Sequence, residues 1–232
     1  NTYYSTIASA AEAANALAEA GTYVEIVLLA KIDVTESLTI GTINDVNKLV
    51  VFRCADTGIT VKDGAVLTLN AKVADEKGQT DAAFCAVTVE GGCTVADYAA
   101  NAVTAKGGAA VRNGFTAHAT TLFADNDKET PVSISGTFAR VSGYVYIYDD
   151  TVIQNTDALG RTNADAYVTG VRELESSNPR DITLTVEGGT VHTLCSFGGN
   201  GVKTNLHITG GTMYVEIGET EMTYILGNTP GA

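Results

Sequence analysis

Three tyrosines stand out first. Tyr144, Tyr146 and Tyr148 alternate with Val145 and Ile147. In an extended strand this alternation sends the two aliphatic side chains to one face and the three rings to the other, about 6.6–6.8 Å apart. Such a row can stack on sugar rings while its hydroxyls form hydrogen bonds, so these residues are the candidate ligand site. The expected partner is a glycan or another host or cell-surface ligand. The plainer arrangement has the following segment fold over the rings and bury them as a satellite cluster. Asp125, Asp127 and Glu129 lie in an oxygen-rich loop and form the candidate metal site, with calcium as the ion such a donor set would take. The loop lacks the glycine of an EF-hand and includes Lys128, so a solvated turn accounts for it more simply. No other cofactor is expected.

A second acidic cluster, Asp149, Asp150, Asp157 and Asp165, shares residues 149–181 with Arg161 and Arg172. Carboxylates and guanidinium groups gathered on one wall could cleave a polysaccharide, although nothing in their spacing demands it. His118, His192 and His207 fall at unrelated positions in the repeat described below, so neither a Ser-His-Asp nor a metal–histidine constellation is supported. Cys54, Cys85, Cys93 and Cys195 contain no Cys-x-x-Cys pair, which argues against zinc. Two disulfides would allow three pairings, and the sequence does not choose between bridges and buried thiols.

The elements that must hold these groups come from a chain of 232 residues, 45% hydrophobic and 18% charged, enough for a sizeable core and too apolar for disorder. Its formal charge of −13 opposes contact with phosphate backbones and anionic lipid, so no nucleic-acid partner is expected. No run approaches the roughly 20 apolar residues of a membrane span, so no membrane insertion is expected either. The opening Asn1-Thr2-Tyr3-Tyr4 lacks a basic, then apolar, leader and suits a processed chain.

Apolar Ile7, Ala10, Ala11, Ala14, Leu17 and Ala18 recur at helical spacing up to Gly21, which predicts a helix over 6–20, starting later if Ser9 is the cap. Beyond it the period changes to two. Ile40, Val61, Val89, Val111, Ile134, Val186 and Ile208 anchor seven runs separated by 21, 28, 22, 23, 52 and 22 residues. Two residues before each anchor the side chain is apolar, and one before it is mostly small and polar. Three residues after, Gly64, Gly92, Gly114, Gly189 and Gly211 share one slot, as a corner of positive φ requires. A period near 22 built from short strands predicts a stacked parallel coil, in which each turn buries its apolar side chains against the next. Lys62, Glu90 and Arg112 then fall on consecutive turns as an outward ladder of alternating sign. The outward threonines are too mixed with charge for the two flat threonine ranks of an ice-binding face.

These blocks, above all Val186-Glu187-Gly188-Gly189-Thr190-Val191 and Ile208-Thr209-Gly210-Gly211-Thr212-Met213, resemble the right-handed parallel β-helix, or pectate-lyase-like, superfamily and the solenoid repeats of secreted and cell-surface bacterial proteins. The resemblance covers about residues 23–226. It implies an all-β, single-domain, right-handed parallel β-helix, with residues 1–22 as a capping helix and 23–232 as the solenoid, interrupted by an insertion within 149–181. It also implies a secreted or cell-surface location. The expected function is non-catalytic: adhesion, glycan binding or structural display, with self-association through stacked ends as a further option. The alternative is a polysaccharide lyase or glycoside hydrolase of the β-helix type, with residues 149–181 as its active-site wall.

Overall fold

The structure is a computed structural model. It describes residues 1–42, 46–78, 86–113, 120–127, 129–142 and 145–147, together with the short strands 152–153, 168–169, 182–186, 190–193, 204–208 and 212–215.

Helix α1 spans Ile7–Glu19. Thr6 caps it, with an extended backbone and a side-chain oxygen that accepts the Ser9 N–H at 3.2 Å. At the other end Gly21 takes φ +91°, its N–H bonds the Ala18 carbonyl, and the Thr22 N–H reaches back to Leu17. This left-handed stop satisfies carbonyls that the helix leaves open. Ala11, Ala14 and Ala18 form the buried stripe, and their small size lets the helix lie close against the end of the coil.

The first coils comprise β1 (Val24–Leu28), β2 (Ile32–Val34), β3 (Leu38–Ile40), β4 (Leu49–Arg53), β5 (Ile59–Val61), β6 (Val66–Leu69), β7 (Lys72–Asp75), β8 (Val87–Val89) and β9 (Thr94–Asp97). After them come β10 (Ala102–Lys106), β11 (Ala110–Asn113), β12 (Thr120–Asp125), β13 (Val132–Ser142), β14 (Val145–Ile147), β15 (Val152–Ile153), β16 (Val168–Thr169), β17 (Ile182–Val186), β18 (Thr190–Thr193), β19 (Thr204–Ile208) and β20 (Thr212–Val215). Every pairing among them is parallel. The protein is therefore an all-β parallel β-helix with an N-terminal helix.

Three walls can be followed. Wall A holds β1, β4 and β7. Wall B begins β2, β5, β8, β10, β12, and wall C begins β3, β6, β9, β11, β13. Among the described residues wall A stops at β7, and the coil from β8 and β9 to β10 and β11 has two sides instead of three and is shorter. Val34, Val61, Val89, Ala105 and Ala124 stack in wall B at intervals of 27, 28, 16 and 19 residues. In wall C, Leu38, Leu67, Val95, Val111 and Ile134 stack at 29, 28, 16 and 23. All of these side chains except the half-buried Leu38 are buried, and each large aliphatic one contributes about 1.5–3 kcal/mol of burial. The interval of 22 appears between the last two described coils, where Val186 pairs with Ile208 and Thr190 with Thr212; just before them Ile147 pairs with Val186 and Val152 with Thr190, at 39 and 38 residues.

The expected register is correct in part. Val61 does stack on Val89, but Val111 does not follow them. It belongs to wall C, between Val95 and Ile134, and Ala105 takes the place above Val89. Ile40 likewise pairs with Leu69 rather than with Val61. Walls B and C carry the same in–out alternation, so periodicity alone does not distinguish a full turn from a half turn.

The corners repeat as expected. Lys62-Asp63-Gly64-Ala65, Glu90-Gly91-Gly92-Cys93 and Lys106-Gly107-Gly108-Ala109 each close a bond from the fourth N–H to the first carbonyl, at 3.0, 3.1 and 3.0 Å. Gly64, Gly92 and Gly108 take φ of +76°, +76° and +78°. Gly114, Gly189 and Gly211 lie outside the described residues. Gly136 serves another purpose. It bends β13 from wall C into wall B, and a Cβ there would run into the Asn113 carbonyl.

Asn15 ties the helix to the coil. Its Nδ2 donates to the Thr39 carbonyl at 3.1 Å, and its Oδ1 accepts the Gly41 N–H at 2.7 Å. One amide thus supplies the donor and acceptor that a further strand would have offered to β3. Asn15→Ala should cost about 1–2 kcal/mol in urea denaturation, with the helix signal in circular dichroism retained at low urea. An unchanged midpoint would show that water replaces the amide at no cost.

Candidate functional site

The outer face of wall B is the best-defined surface. Asp33, Thr60, Thr88, Thr104 and Phe123 form one column through successive pairings. Beside it run Lys62, Glu90, Lys106 and Asp125, where Lys62 and Glu90 each donate their N–H to the coil below and Lys106 pairs directly with Asp125. This is the anticipated ladder of alternating sign with a corrected membership. Its third rung is Lys106, because Arg112 stands in wall C between Ala96 and Ser135.

The ladder is knit unevenly. Lys62 Nζ meets Asp33 Oδ2 at 2.9 Å, and this hydrogen bond raises the Lys62 pKa, with Asp33's charge and, more weakly, that of Glu90 adding to it. Lys106 is bound to Asp125. Both pairs are part-exposed, so they fix side-chain positions more than they stabilise the fold.

Asp125 of the candidate calcium loop is thus engaged by a lysine. Asp127 is engaged by its own turn. It accepts the Thr130 hydroxyl at 2.8 Å and the Thr130 N–H at 3.0 Å, and the hydroxyl bond foremost holds its carboxyl below the ordinary value. Glu129 is exposed. Among the described residues no three His, Cys, Asp or Glu side chains come together to hold a metal.

Of the tyrosine row, Tyr144 and Tyr148 lie outside the described residues, as do the acidic cluster and arginines of 149–181. Tyr146 is placed by its backbone, level with Ser133 on one side and Thr185 on the other. Val145 beside it is buried, which agrees with the alternation read from the sequence. Cys54 and Cys93 are free thiols. Cys93 occupies the same inward corner slot as Ala65 and Ala109, all three buried, and so serves as a small apolar filler. Cys85 and Cys195 are outside the described residues.

Sequence reading missed the most elaborate polar cluster, which is centred on Asp97. This carboxylate is fully buried. Oδ1 accepts the Ala99 N–H at 3.0 Å and Asn101 Nδ2 at 2.8 Å; Oδ2 accepts the Asn101 N–H at 2.9 Å and the Thr120 hydroxyl at 2.8 Å. Asn101 in turn accepts the Val73 N–H at 2.7 Å and donates to the Ala71 carbonyl at 3.1 Å. Those are the groups that β7 turns toward the coil in which wall A no longer exists. Asn101 therefore closes wall A as Asn15 closes β3. The available signal was parity: in Thr94-Val95-Ala96-Asp97, Asp97 shares the inward phase of Val95. Burial raises the Asp97 pKa above its ordinary value, and the four hydrogen bonds pull it back. The cluster is enclosed, so its chemistry is structural.

No family model, curated protein or solved structure matches this chain. The class is defined by the coordinates alone, as a parallel β-solenoid closed at its first coil by a helix.

Two outcomes follow. Glu90→Gln should move the melting temperature by no more than about 2–4 °C, since the neighbouring lysines are held by Asp33 and Asp125. Asp97→Asn should cost at least about 3 kcal/mol, because an amide turns a donor toward donors already there. The two proteins should also differ in pH dependence. A raised folded-state pKa means that folded protein keeps a proton which unfolded chain has released. The wild type should therefore gain on Asp97→Asn as pH falls from neutrality toward 4 in urea titrations. A gap that narrows instead would place the folded pKa below the unfolded one.

Proposed function

We propose that the chain is a non-catalytic binding or display module of a secreted or cell-surface bacterial protein, akin to the right-handed, pectate-lyase-like β-helices. The observation that carries this reading is the outer face of wall B, where threonines repeat in register and the charges are engaged with one another rather than gathered around a cleft. A regular wall of this kind holds a ligand-bearing segment at a fixed height and orientation. The segment that best suits a ligand is Tyr144-Val145-Tyr146-Ile147-Tyr148. Its central strand joins the stack and Val145 fills the core, and in the sequence the tyrosines alternate with Val145 and Ile147. Three rings along one strand suit the repeating rings of a glycan, and their hydroxyls would set its orientation.

The test is a glycan array probed with the parent protein and with a variant carrying Tyr144→Ala, Tyr146→Ala and Tyr148→Ala. Binding by the parent and its loss in the variant, at an unchanged melting temperature, is the expected result. A sharp fall in melting temperature, with no glycan bound by the parent, would leave a purely structural module. Release of reducing ends or unsaturated products from acidic polysaccharides would instead make residues 149–181 the wall of an enzyme site.

A further inference from the structure

Among the described residues, seven large apolar side chains are exposed, and six of them gather at the helix-capped end: Tyr3, Tyr4, Leu17, Tyr23, Val27 and Leu29. A groove of about 390 Å³ lies among them. One wall is the helix face Ile7, Ala10, Ala14 and Leu17, a second is the unbroken run 24–30, and residues 2–6 line the groove as well. A strand that offers only a face contributes alternate residues to a wall. A strand that contributes every residue offers its backbone edge.

The hydrogen bonding gives the same answer. Among the described residues β1 pairs with β4 alone. The Val24 N–H points to the Lys48 carbonyl, at 2.8 Å. In a parallel ladder the N–H and C=O of one residue point the same way and alternate from residue to residue. Val24, Ile26 and Leu28 therefore face β4, and the backbone groups of Glu25 and Val27 face outward. The two neighbouring ends have stand-ins, Asn15 for β3 and Asn101 for β7, while β1 has no described counterpart. An edge of this kind, set between an apolar helix face and exposed aromatic side chains, is the template for an added strand.

Charge selects the occupant. Glu25 is the one charged residue in the groove wall, and the chain carries −13 overall. A second copy would bring the same charge to the same place. We propose that this groove takes an extended segment of another protein, apolar at alternate positions and bearing basic side chains between them, as an added strand on β1. Glu25 and Val27 exchange backbone hydrogen bonds with it. Leu17, Val27 and Leu29 cover its apolar side chains, and Glu25 meets a basic one. The site is separate from the tyrosine row and stands whether or not a glycan binds there.

The probe is a panel of acetylated, amidated hexapeptides alternating Val or Leu with Thr or Lys, titrated calorimetrically into the intact chain. Binding by the Lys-containing members, weakening with added salt and slowing amide exchange at Glu25 and Val27, is expected. Val27→Pro deletes an outward N–H and leaves the β4 ladder whole, so it should weaken binding about tenfold, the equivalent of about one hydrogen bond, without unfolding the protein. N-methylation of alternate peptide amides gives the same test from the ligand side, whatever the variant's stability. Binding that ignores N-methylation would overturn strand addition. A concentration-dependent dimer in sedimentation velocity, with protection at Glu25 and Val27, would make a second copy the occupant and overturn the proposal, as would failure of every peptide to bind.

Discussion

A stack of parallel strands satisfies its backbone only between its ends, and the way each wall is ended governs the rest of this molecule. Every coil hands a row of N–H and C=O groups to the next, and a buried row without a partner would cost more than the coil gains. The fold answers with asparagine. An amide side chain carries one carbonyl and one NH2 on a single carbon, so it can accept from one backbone group and donate to another about one strand spacing away. Asn15 does this for Thr39 and Gly41 at the first coil, and Asn101 does it for Val73 and Ala71 where wall A ends. Asn70 and Asn113 also reach the adjoining coil, through the Gly41 and Thr137 carbonyls.

The helix belongs to the same solution. It shields the apolar end of the coil with alanines, and it brings Asn15 to the strand it closes. It leans on the first coil through small side chains and leaves a groove between its own face and β1. The exposed apolar groups of the described protein collect at that end.

The alternation, the helix, the glycine corners and the parallel stacking were all legible in the sequence, because each is written in local residue spacing. The turn length was not. Val61, Val89 and Val111 each follow an apolar residue two places back and precede a charged one, yet the last is half a coil out of step because wall A is missing between Asp97 and Ala102. Dropping one side shortens the coil to 16 residues, and no local pattern records how many sides a coil has. Arg112 for this reason looked like the rung that Lys106 provides. Glycine gave a hint, since Lys106-Gly107-Gly108-Ala109 repeats Glu90-Gly91-Gly92-Cys93 at that shorter interval. The candidate ligand site was legible as alternation, and the burial of Val145 bears on it.

The loss of wall A can be traced to a single column. Ile40, Leu69 and Asp97 are stacked neighbours in wall C. In the first two coils this inward position holds an aliphatic side chain, and the chain goes on to build another strand of wall A. In the third it holds a carboxylate, and the chain turns back at once. Burying that charge is costly, but four donors converge on it, and bonds to an ionised acceptor are roughly twice as strong as neutral ones. Two of the donors are backbone N–H groups of the next turn, so the interactions that offset burial also fix the path from Ala99 to Asn101, including Ala100 at φ +59°. That path delivers Asn101 to β7. An aliphatic residue at position 97 would leave those N–H groups without acceptors and the last strand of wall A open. Asp97 thus stands at the inward position where the chain leaves wall C and turns directly to β10, and its bonds hold that turn in place.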